Sequence, residues 1–146
     1  MPLKIHENIL VFYKKQPTYN PQMRVGFKPY QQKSGKGSSN YGEQSQVITT
    51  NNGERYPISK LKFKRDKEKY HPTQKPVSIL EYLIKTYTNE NDLVLDNCMG
   101  SGSTIIAAIN TNRKYIGFEL DKDIFQIADK RIQKHLKEAK QLKLNL

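Results

Sequence analysis

The spacing of apolar and polar residues divides the chain into an irregular first half and a regular second half. Residues 5–13 end in a five-residue apolar and aromatic run with β-branched members, a pattern typical of a strand covered on both faces. No helical or strand period holds over residues 16–52, which predicts a long loop or weakly ordered lobe. Residues 58–64 alternate, which predicts a half-buried strand with lysines on its outer face.

The second half alternates between helical and strand patterns. A helix is predicted from Pro76, with apolar residues 77, 80, 83, 84 and 87 on one face. Residues 92–96 predict a short buried strand, and Ser103 or Thr104 can cap a helix that runs through residue 110. Residues 114–120 predict a second strand. Asp121 can cap a last helix whose apolar residues recur every four positions, and a solvated tail is expected from Lys137.

The second half contains a βαβ unit suited to binding a nucleoside. It consists of a strand, a Gly-Ser-Gly turn, a helix and a second strand with an acidic residue at its end. Gly100 and Gly102 let the backbone approach a ligand closely, and Glu119 lies where a carboxylate can accept hydrogen bonds from both ribose hydroxyls. The alternative is that the glycines only make a tight turn and Glu119 is a surface acid. The joint spacing of Asp96, the glycines and Glu119 favours the ligand site.

The residues around the turn also bear on which nucleoside would bind. A dinucleotide fingerprint requires a third glycine three residues after the second, and that position is Ile105. Asp96 precedes the turn, where a carboxylate repels phosphate but can accept from a cationic amine. A ligand with an amino-acid end and no phosphate, such as S-adenosylmethionine, therefore fits better than NAD.

Composition and charge indicate a polyanionic partner. The 146 residues suit one domain, or one and a fragment of another, and carry a formal net charge of +11. Lys and Arg number 14 against 5 acids in residues 1–70, and 11 against 9 in residues 71–146. A lone cysteine, Cys98, disfavours disulfides and cysteine-rich metal sites, so no metal is expected. With no signal-peptide or membrane-spanning pattern, we expect a cytoplasmic protein.

Three segments resemble motifs of the β-class amino DNA methyltransferases, which modify adenine at N-6 or cytosine at N-4. Residues 71–76 (HPTQKP) resemble that family's motif ten, residues 96–104 (DNCMGSGST) its motif one, and residues 115–119 (YIGFE) its motif two. The order ten, one, two is itself characteristic of the β class. Residues 6–13 also resemble the motif-eight strand, and residues 16–70 fall where target-recognition segments lie.

The resemblance implies an α/β fold, a partial Rossmann-like S-adenosylmethionine-dependent methyltransferase fold with an irregular basic target-recognition segment. Residues 1–15 would be a sheet strand of the methyltransferase core, residues 16–70 the basic target-recognition segment and residues 71–146 the cofactor-binding core. The implied cofactor-binding residues are Thr73, Lys75, Asp96, Asn97, Cys98, Gly100, Ser101, Gly102 and Glu119. Thr73 and Lys75 would meet the methionine carboxylate. The DNA-binding candidates are the basic residues Lys14, Lys15, Arg24, Lys28, Lys60, Lys62, Lys64 and Arg65.

The family's catalytic motif, Asp, Asn or Ser followed by Pro-Pro and an aromatic residue, has no match here. None of the seven prolines is adjacent to another, and the nearest string, Asn20-Pro21-Gln22-Met23, lacks the second proline and the aromatic. No catalytic residue is therefore assigned, and we expect a C-terminal part of a methyltransferase that needs an upstream segment or partner chain.

The expected function is site-specific methylation of double-stranded DNA, at adenine N-6 in the first instance, within a restriction-modification setting. A non-catalytic DNA-binding or cofactor-binding remnant or subunit is the alternative. A methyltransferase that acts on RNA or protein is a third interpretation.

Overall fold

The computed structural model describes residues 6–34 and 46–144. The elements in chain order are β1 (Tyr30–Lys33), β2 (Ile48–Asn51), α1 (Val77–Tyr87), β3 (Leu93–Asp96), α2 (Ser103–Asn110), β4 (Lys114–Gly117) and α3 (Lys122–Leu144). Within the described residues, β1 and β2 pair as an antiparallel hairpin, and β3 and β4 pair in parallel. None of the helices in this part of the chain is both long and apolar enough to cross a lipid bilayer.

The predicted βαβ unit is confirmed. Leu93 pairs with Lys114 and Asp96 pairs with Gly117, so β3 and β4 are parallel neighbours. In the chain, α2 connects the end of β3 to the start of β4. Parallel strands end at the same edge of a sheet, and the turn after β3 therefore lies next to the residues that follow β4. This edge is where the sequence predicts the ligand site.

Helix α2 forms the centre of the core. Ile105 is 1% exposed, and Ala107 and Ala108 are fully buried. One cluster packs α2 against Ala128 and Ile132 of α3, and a second packs it against α1. The predicted apolar face of the last helix is thus confirmed at its two central positions.

Gly117 allows α2 and the turn to approach β4 closely. A Cβ atom at this position would lie 2.5 Å from the sulfur of Met99 and 2.9 Å from Cδ1 of Ile105, closer than real side chains come. Dinucleotide-binding folds obtain a close helix–strand approach from a third glycine on the helix. In this chain Ile105 occupies that helix position and the glycine is on the strand.

Two predicted strands are absent. Residues 6–13 form no strand, and their apolar side chains are exposed, with Leu10 72% and Phe12 87% accessible. A strand requires hydrogen-bonded neighbours, and no strand in the described part of the chain pairs with this segment. Residues 58–64 also form no strand, although the predicted burial alternation holds, with Leu61 and Phe63 half-buried and the lysines exposed.

The long loop predicted over residues 16–52 contains the β1–β2 hairpin, which the prediction missed. Tyr30 pairs with Asn51 and Lys33 with Ile48, and the segment that joins the strands, residues 35–45, lies outside the described residues. The β-branched run at residues 47–50 was the available signal.

Element ends and exposure differ from the predictions in several places. The N-cap of α2 is Gly102, with no side-chain cap, rather than Ser103 or Thr104. Strand β4 ends at Gly117, and β3 is not fully buried, because Leu95 on its open face is 61% exposed. Helix α3 continues through the predicted solvated tail to residue 144. The Asp121 cap is confirmed, since its Oδ1 accepts from the N–H groups two and three residues on.

Candidate nucleoside-binding site

The turn after β3 is held against the end of β4 by main-chain hydrogen bonds. The N–H of Phe118 donates to the carbonyl oxygen of Asp96 at 2.9 Å, and the N–H of Met99 donates to the carbonyl oxygen of Phe118 at 2.9 Å. These bonds extend the parallel pairing past the last strand residue and bring residues 96–100 beside residues 118–119. The sequence-predicted Asp96, glycine turn and Glu119 are therefore together at one edge.

Glu119 is anchored to the turn by its carboxylate. Its Oε2 accepts from the N–H of Gly100 at 2.9 Å, and its Oε1 accepts from the N–H of Asp121 at 3.1 Å. The side chain is half-buried. An ionised carboxylate has about four acceptor positions, so two N–H donors leave capacity for two more. Glu119 is therefore bonded to the turn, and its contact with ribose hydroxyls stays a prediction.

Asp96 is a second carboxylate at the same edge. It is half-buried, and its Oδ1 accepts from the N–H of Cys98 at 3.1 Å. Asn97 and Cys98 are exposed on the turn, and the Cys98 sulfur lies 3.6 Å from Oδ1 of Asn97. These residues present polar atoms to solvent where the two strands end.

The two glycines of the turn differ in what surrounds them. Both have positive φ, +52° at Gly100 and +78° at Gly102. A Cβ atom on Gly100 would meet nothing within 4 Å, whereas one on Gly102 would lie 3.1 Å from Ile132 of α3. Gly100 therefore has open space beside its backbone, and Gly102 packs the turn on α3. Contacts of Gly100, Gly102 and the buried Ser101 with a ligand stay predictions.

The segment from His71 to Pro76 lies against this turn. Oγ of Ser101 donates to the side-chain oxygen of Gln74 at 3.4 Å, which joins the two segments. Thr73 is exposed, and its hydroxyl is 2.9 Å from Nδ1 of His71, so His71 organises the proline-rich turn. The Nζ of Lys75 lies 2.7 Å from Oε2 of Glu7 in an exposed ion pair.

A buried arginine that sequence reasoning missed connects these segments. Arg131 of α3 is 8% exposed, and its Nη1 donates to the carbonyl oxygen of Ser101 at 2.9 Å and to the hydroxyl of Ser103 at 3.0 Å. Its Nη2 lies 3.8 Å from Oδ2 of Asp66, and its guanidinium lies 4.7 Å from the centre of the Tyr70 ring. Burial lowers the pKa of Arg131, and the Asp66 carboxylate opposes that effect. The available signal was an arginine three residues after Ala128, on the apolar face of α3.

Most of the predicted DNA-binding residues are exposed. This group comprises Lys14, Lys15, Lys28, Lys60, Lys62, Lys64 and Arg65. Arg24 differs, because it is half-buried, its Nε donates to the carbonyl oxygen of Tyr56 at 3.0 Å, and its guanidinium lies 5.1 Å from the centre of the Phe27 ring. Arg24 is thus held within the fold near the hairpin.

The nearest string to the catalytic motif has a structural role. Nδ2 of Asn20 donates to the carbonyl oxygen of Thr88 at 3.0 Å and to that of Lys85 at 3.2 Å. The main-chain N–H of Asn20 donates to the carbonyl oxygen of Thr86 at 2.7 Å. Asn20 therefore satisfies carbonyl groups at the C-terminal end of α1, which otherwise have no partners within the helix.

Comparison with known proteins finds DNA methyltransferases. The chain is similar to the Type II methyltransferase M2.LlaDCHI of Lactococcus lactis subsp. cremoris, with 48% identity over 64 residues, 44% of this chain and 24% of that protein. It is 33% identical over 133 residues to the Type II methyltransferase M.HpaI of Haemophilus parainfluenzae, 87% of this chain and 38% of that protein. Among solved structures, the M1.HpyAVI–SAM complex matches 38% of this chain and 27% of that chain with 47% identity and a TM-score of 0.37.

The match to the family as a whole covers most of the chain. The individual relatives are much longer than this chain, which spans well under half of their length. A model of the N6/N4 DNA methylase family matches residues 2–130. This range includes the hairpin, the proline-rich turn, both parallel strands and the glycine turn, and the chain therefore belongs to the amino DNA methyltransferase family.

Proposed function

We propose that this chain is the cofactor-binding and target-recognition part of a site-specific DNA methyltransferase that uses S-adenosylmethionine. The observation that carries the proposal is the Glu119 carboxylate held on the N–H of Gly100, at the carboxyl ends of two parallel strands. An anchored carboxylate with two remaining acceptor positions suits the two hydroxyls of a ribose. The open space beside Gly100 supports close approach of the nucleoside to the backbone.

The donor set of the turn suits a nucleoside without phosphate. Asp96 and Glu119 bring two carboxylates to the edge, which disfavours a pyrophosphate and favours a ligand with hydroxyl and amine donors. A pyrophosphate site would use N–H groups at the start of α2, but Gly102 at that position is buried against α3. S-adenosylmethionine offers a ribose, a cationic sulfonium and an amino group, which match these acceptors.

Thr73 and Lys75 are the proposed partners of the methionine carboxylate. Both side chains are exposed, and they flank Gln74, whose oxygen accepts from Ser101 of the turn. The ion pair of Lys75 with Glu7 is exposed, and such pairs contribute only about 0–1 kcal/mol, so a ligand carboxylate can replace it. The bound cofactor would supply an electrophilic methyl group on its sulfonium, and the chain's residues would bind and orient its two ends.

The proposed acceptor is the exocyclic amine of a DNA base, adenine N-6 in the first instance and cytosine N-4 as the alternative. The excess of Lys and Arg in residues 1–70 supports a phosphate-rich partner, as do the exposed lysines 60, 62 and 64. Such phosphate contacts give salt-sensitive binding and position the protein without reading sequence. A DNA substrate also agrees with a cytoplasmic location.

Methyl transfer would require a catalytic segment in addition to these 146 residues. The sequence contains no Pro-Pro-aromatic string, and the side chain of Asn20, in the nearest candidate, is bonded to carbonyl groups of α1 and the residue after it. A segment with that motif, on the same polypeptide or on a partner subunit, would hold the target amine. The second candidate function, a non-catalytic cofactor-binding or DNA-binding subunit, is favoured by this same feature.

A methyl-transfer assay distinguishes the two candidates. The purified chain is mixed with S-adenosylmethionine tritiated in its methyl group and with mixed-sequence duplex DNA, which is then digested to nucleosides so that the labelled base can be identified. We expect cofactor binding but no incorporation by the chain alone, and label in adenine once a polypeptide with the Pro-Pro-aromatic segment is added. Incorporation by the chain alone would overturn the proposed catalytic deficit, and label only in cytosine would assign cytosine as the target.

DNA binding is tested separately through its salt dependence. The variant with Lys60, Lys62 and Lys64 all changed to Gln should bind duplex DNA more weakly and show a shallower slope of log affinity against log salt, by roughly 0.9 for each phosphate that the protein no longer neutralises. The matched control changes the exposed lysines 130, 134 and 137 of α3 to Gln, which alters the net charge equally. Equal slopes for the two variants would contradict a DNA-facing role for residues 60–64.

A further inference from the structure

Four polar side chains form a closed ring of contacts beneath the candidate site. Arg131 donates to the carbonyl oxygen of Ser101, the Ser101 hydroxyl donates to Oε1 of Gln74, and Nε2 of Gln74 donates to Oδ2 of Asp66 at 3.1 Å. The Asp66 carboxylate, 3.8 Å from Arg131, completes the ring. The ring connects α3, the glycine turn and the segment that leads into α1, which are far apart in sequence.

The ring determines which way the proline-rich turn faces. Gln74 is half-buried within the ring, and its Oε1 also accepts from the N–H of Tyr70 at 2.9 Å. Its neighbours Thr73 and Lys75 are both exposed. Asp66 accepts from the N–H of Val77 at 3.2 Å, which also fixes the start of α1. Gln74 and the start of α1 are both held in this way, while the side chains on either side of Gln74 are exposed.

The guanidinium of Arg131 is suited to the central place in this ring. It offers five N–H donors in a planar fork, and it contacts the turn through Nη1 and the Asp66 carboxylate through Nη2. An arginine that is only 8% exposed requires partners on several sides, and a fixed ring of acceptors provides them. One side chain of α3 thereby contacts both the glycine turn and the Asp66 carboxylate that accepts from Gln74.

We propose that Arg131 is a positioning residue for the amino-acid end of the cofactor, acting through Gln74 on Thr73 and Lys75. The proposal rests on the proposed function, because Thr73 and Lys75 must meet the methionine carboxylate for their placement to matter. The ribose end depends on Glu119, which bonds to Gly100 and Asp121. Arg131 bonds to the same turn at Ser101 and Ser103, but the bonds of Met99 and Gly100 to residues 118–119 hold the turn without it. Loss of Arg131 should therefore weaken binding of the amino-acid end far more than binding of the ribose end.

Two ligands separate these ends by isothermal titration calorimetry. S-adenosylhomocysteine carries the amino-acid end, and 5′-methylthioadenosine keeps the nucleoside but lacks it. We expect Arg131→Met to lower the affinity for S-adenosylhomocysteine at least tenfold. Its affinity for methylthioadenosine should change by less than twofold. Gln74→Leu, which breaks the ring without removing a buried charge, should give the same selective loss and carries the test if Arg131→Met does not fold by circular dichroism.

The control variant is Lys130→Met, which removes a cation from the adjacent, exposed position of α3 and should bind both ligands as the wild type does. If Arg131→Met lowers the affinity for both ligands equally, or for neither, the positioning role is overturned. Failure of the proposed function is a different result, because the wild-type chain would then bind neither ligand. If Thr73→Ala leaves S-adenosylhomocysteine binding unchanged while Arg131→Met weakens it, the route through residues 71–76 is contradicted.

Discussion

The substitution Glu119→Ala tests the ribose contact. In the free chain the Glu119 carboxylate accepts from the N–H groups of Gly100 and Asp121, and its remaining acceptor positions are the proposed partners of two hydroxyls. A hydrogen bond to a charged group contributes about 1.5–3 kcal/mol, and a tenfold change in affinity corresponds to about 1.4 kcal/mol. Loss of even one such bond should therefore weaken cofactor binding by more than tenfold.

The assay is calorimetric titration of S-adenosylhomocysteine into the wild type and the variant at the same pH and salt. Glu90→Ala is the matched control, since it removes an equal charge from an exposed turn before β3 and should leave the affinity unchanged. Glu119→Gln should lie between the wild type and Glu119→Ala, because its amide keeps one acceptor oxygen. Equal affinities for the wild type and Glu119→Ala would refute the assignment of Glu119 to the ribose.

Three further substitutions test the fold around the site. Asn20→Ala should lower the free energy of unfolding in urea by about 1 kcal/mol, because carbonyl groups at the end of α1 lose donors. Its cofactor affinity should equal that of the wild type. A stability equal to that of the wild type would contradict the capping role. Gly117→Ala should cost about 1–3 kcal/mol in the same experiment, since its Cβ would overlap Met99, and an unchanged midpoint contradicts the close packing. The Tyr70 hydroxyl donates to Glu68 and lowers the pKa of that carboxyl below 4.5, so the bond stabilises the fold above pH 4.5 and this effect is lost as the pH falls through the lower value. Tyr70→Phe should therefore have a lower Tm than the wild type at pH 7 and a smaller difference at pH 3, by calorimetry; a constant difference contradicts the linkage.

Local sequence patterns predicted the second half of the chain well because its contacts are local or periodic. Helix α3 shows apolar residues at four-residue spacing, and Ala128 and Ile132 are buried as that spacing requires. Asp121 caps the helix through its own neighbours, so its role can be identified from a few residues. The family prediction is likewise confirmed, by the family model that matches residues 2–130.

Features that depend on distant partners could not be predicted in the same way. Residues 6–13 have a strand pattern, but strand formation depends on neighbours that hydrogen-bond to them, and no described strand pairs with them. Leu95 is apolar and still exposed, because only one face of β3 is covered by a helix. The sequence analysis did not single out Arg131, and its place on the apolar face of α3 does not show that it approaches Ser101 and Asp66.

The most direct measurement is the crystal structure of this chain with bound S-adenosylhomocysteine. We expect the nucleoside at the ends of β3 and β4, with both ribose hydroxyls within hydrogen-bond distance of Glu119 and the amino-acid end toward Thr73. Density for the ligand elsewhere, or a ribose turned away from Glu119 in a fully occupied site, would contradict it.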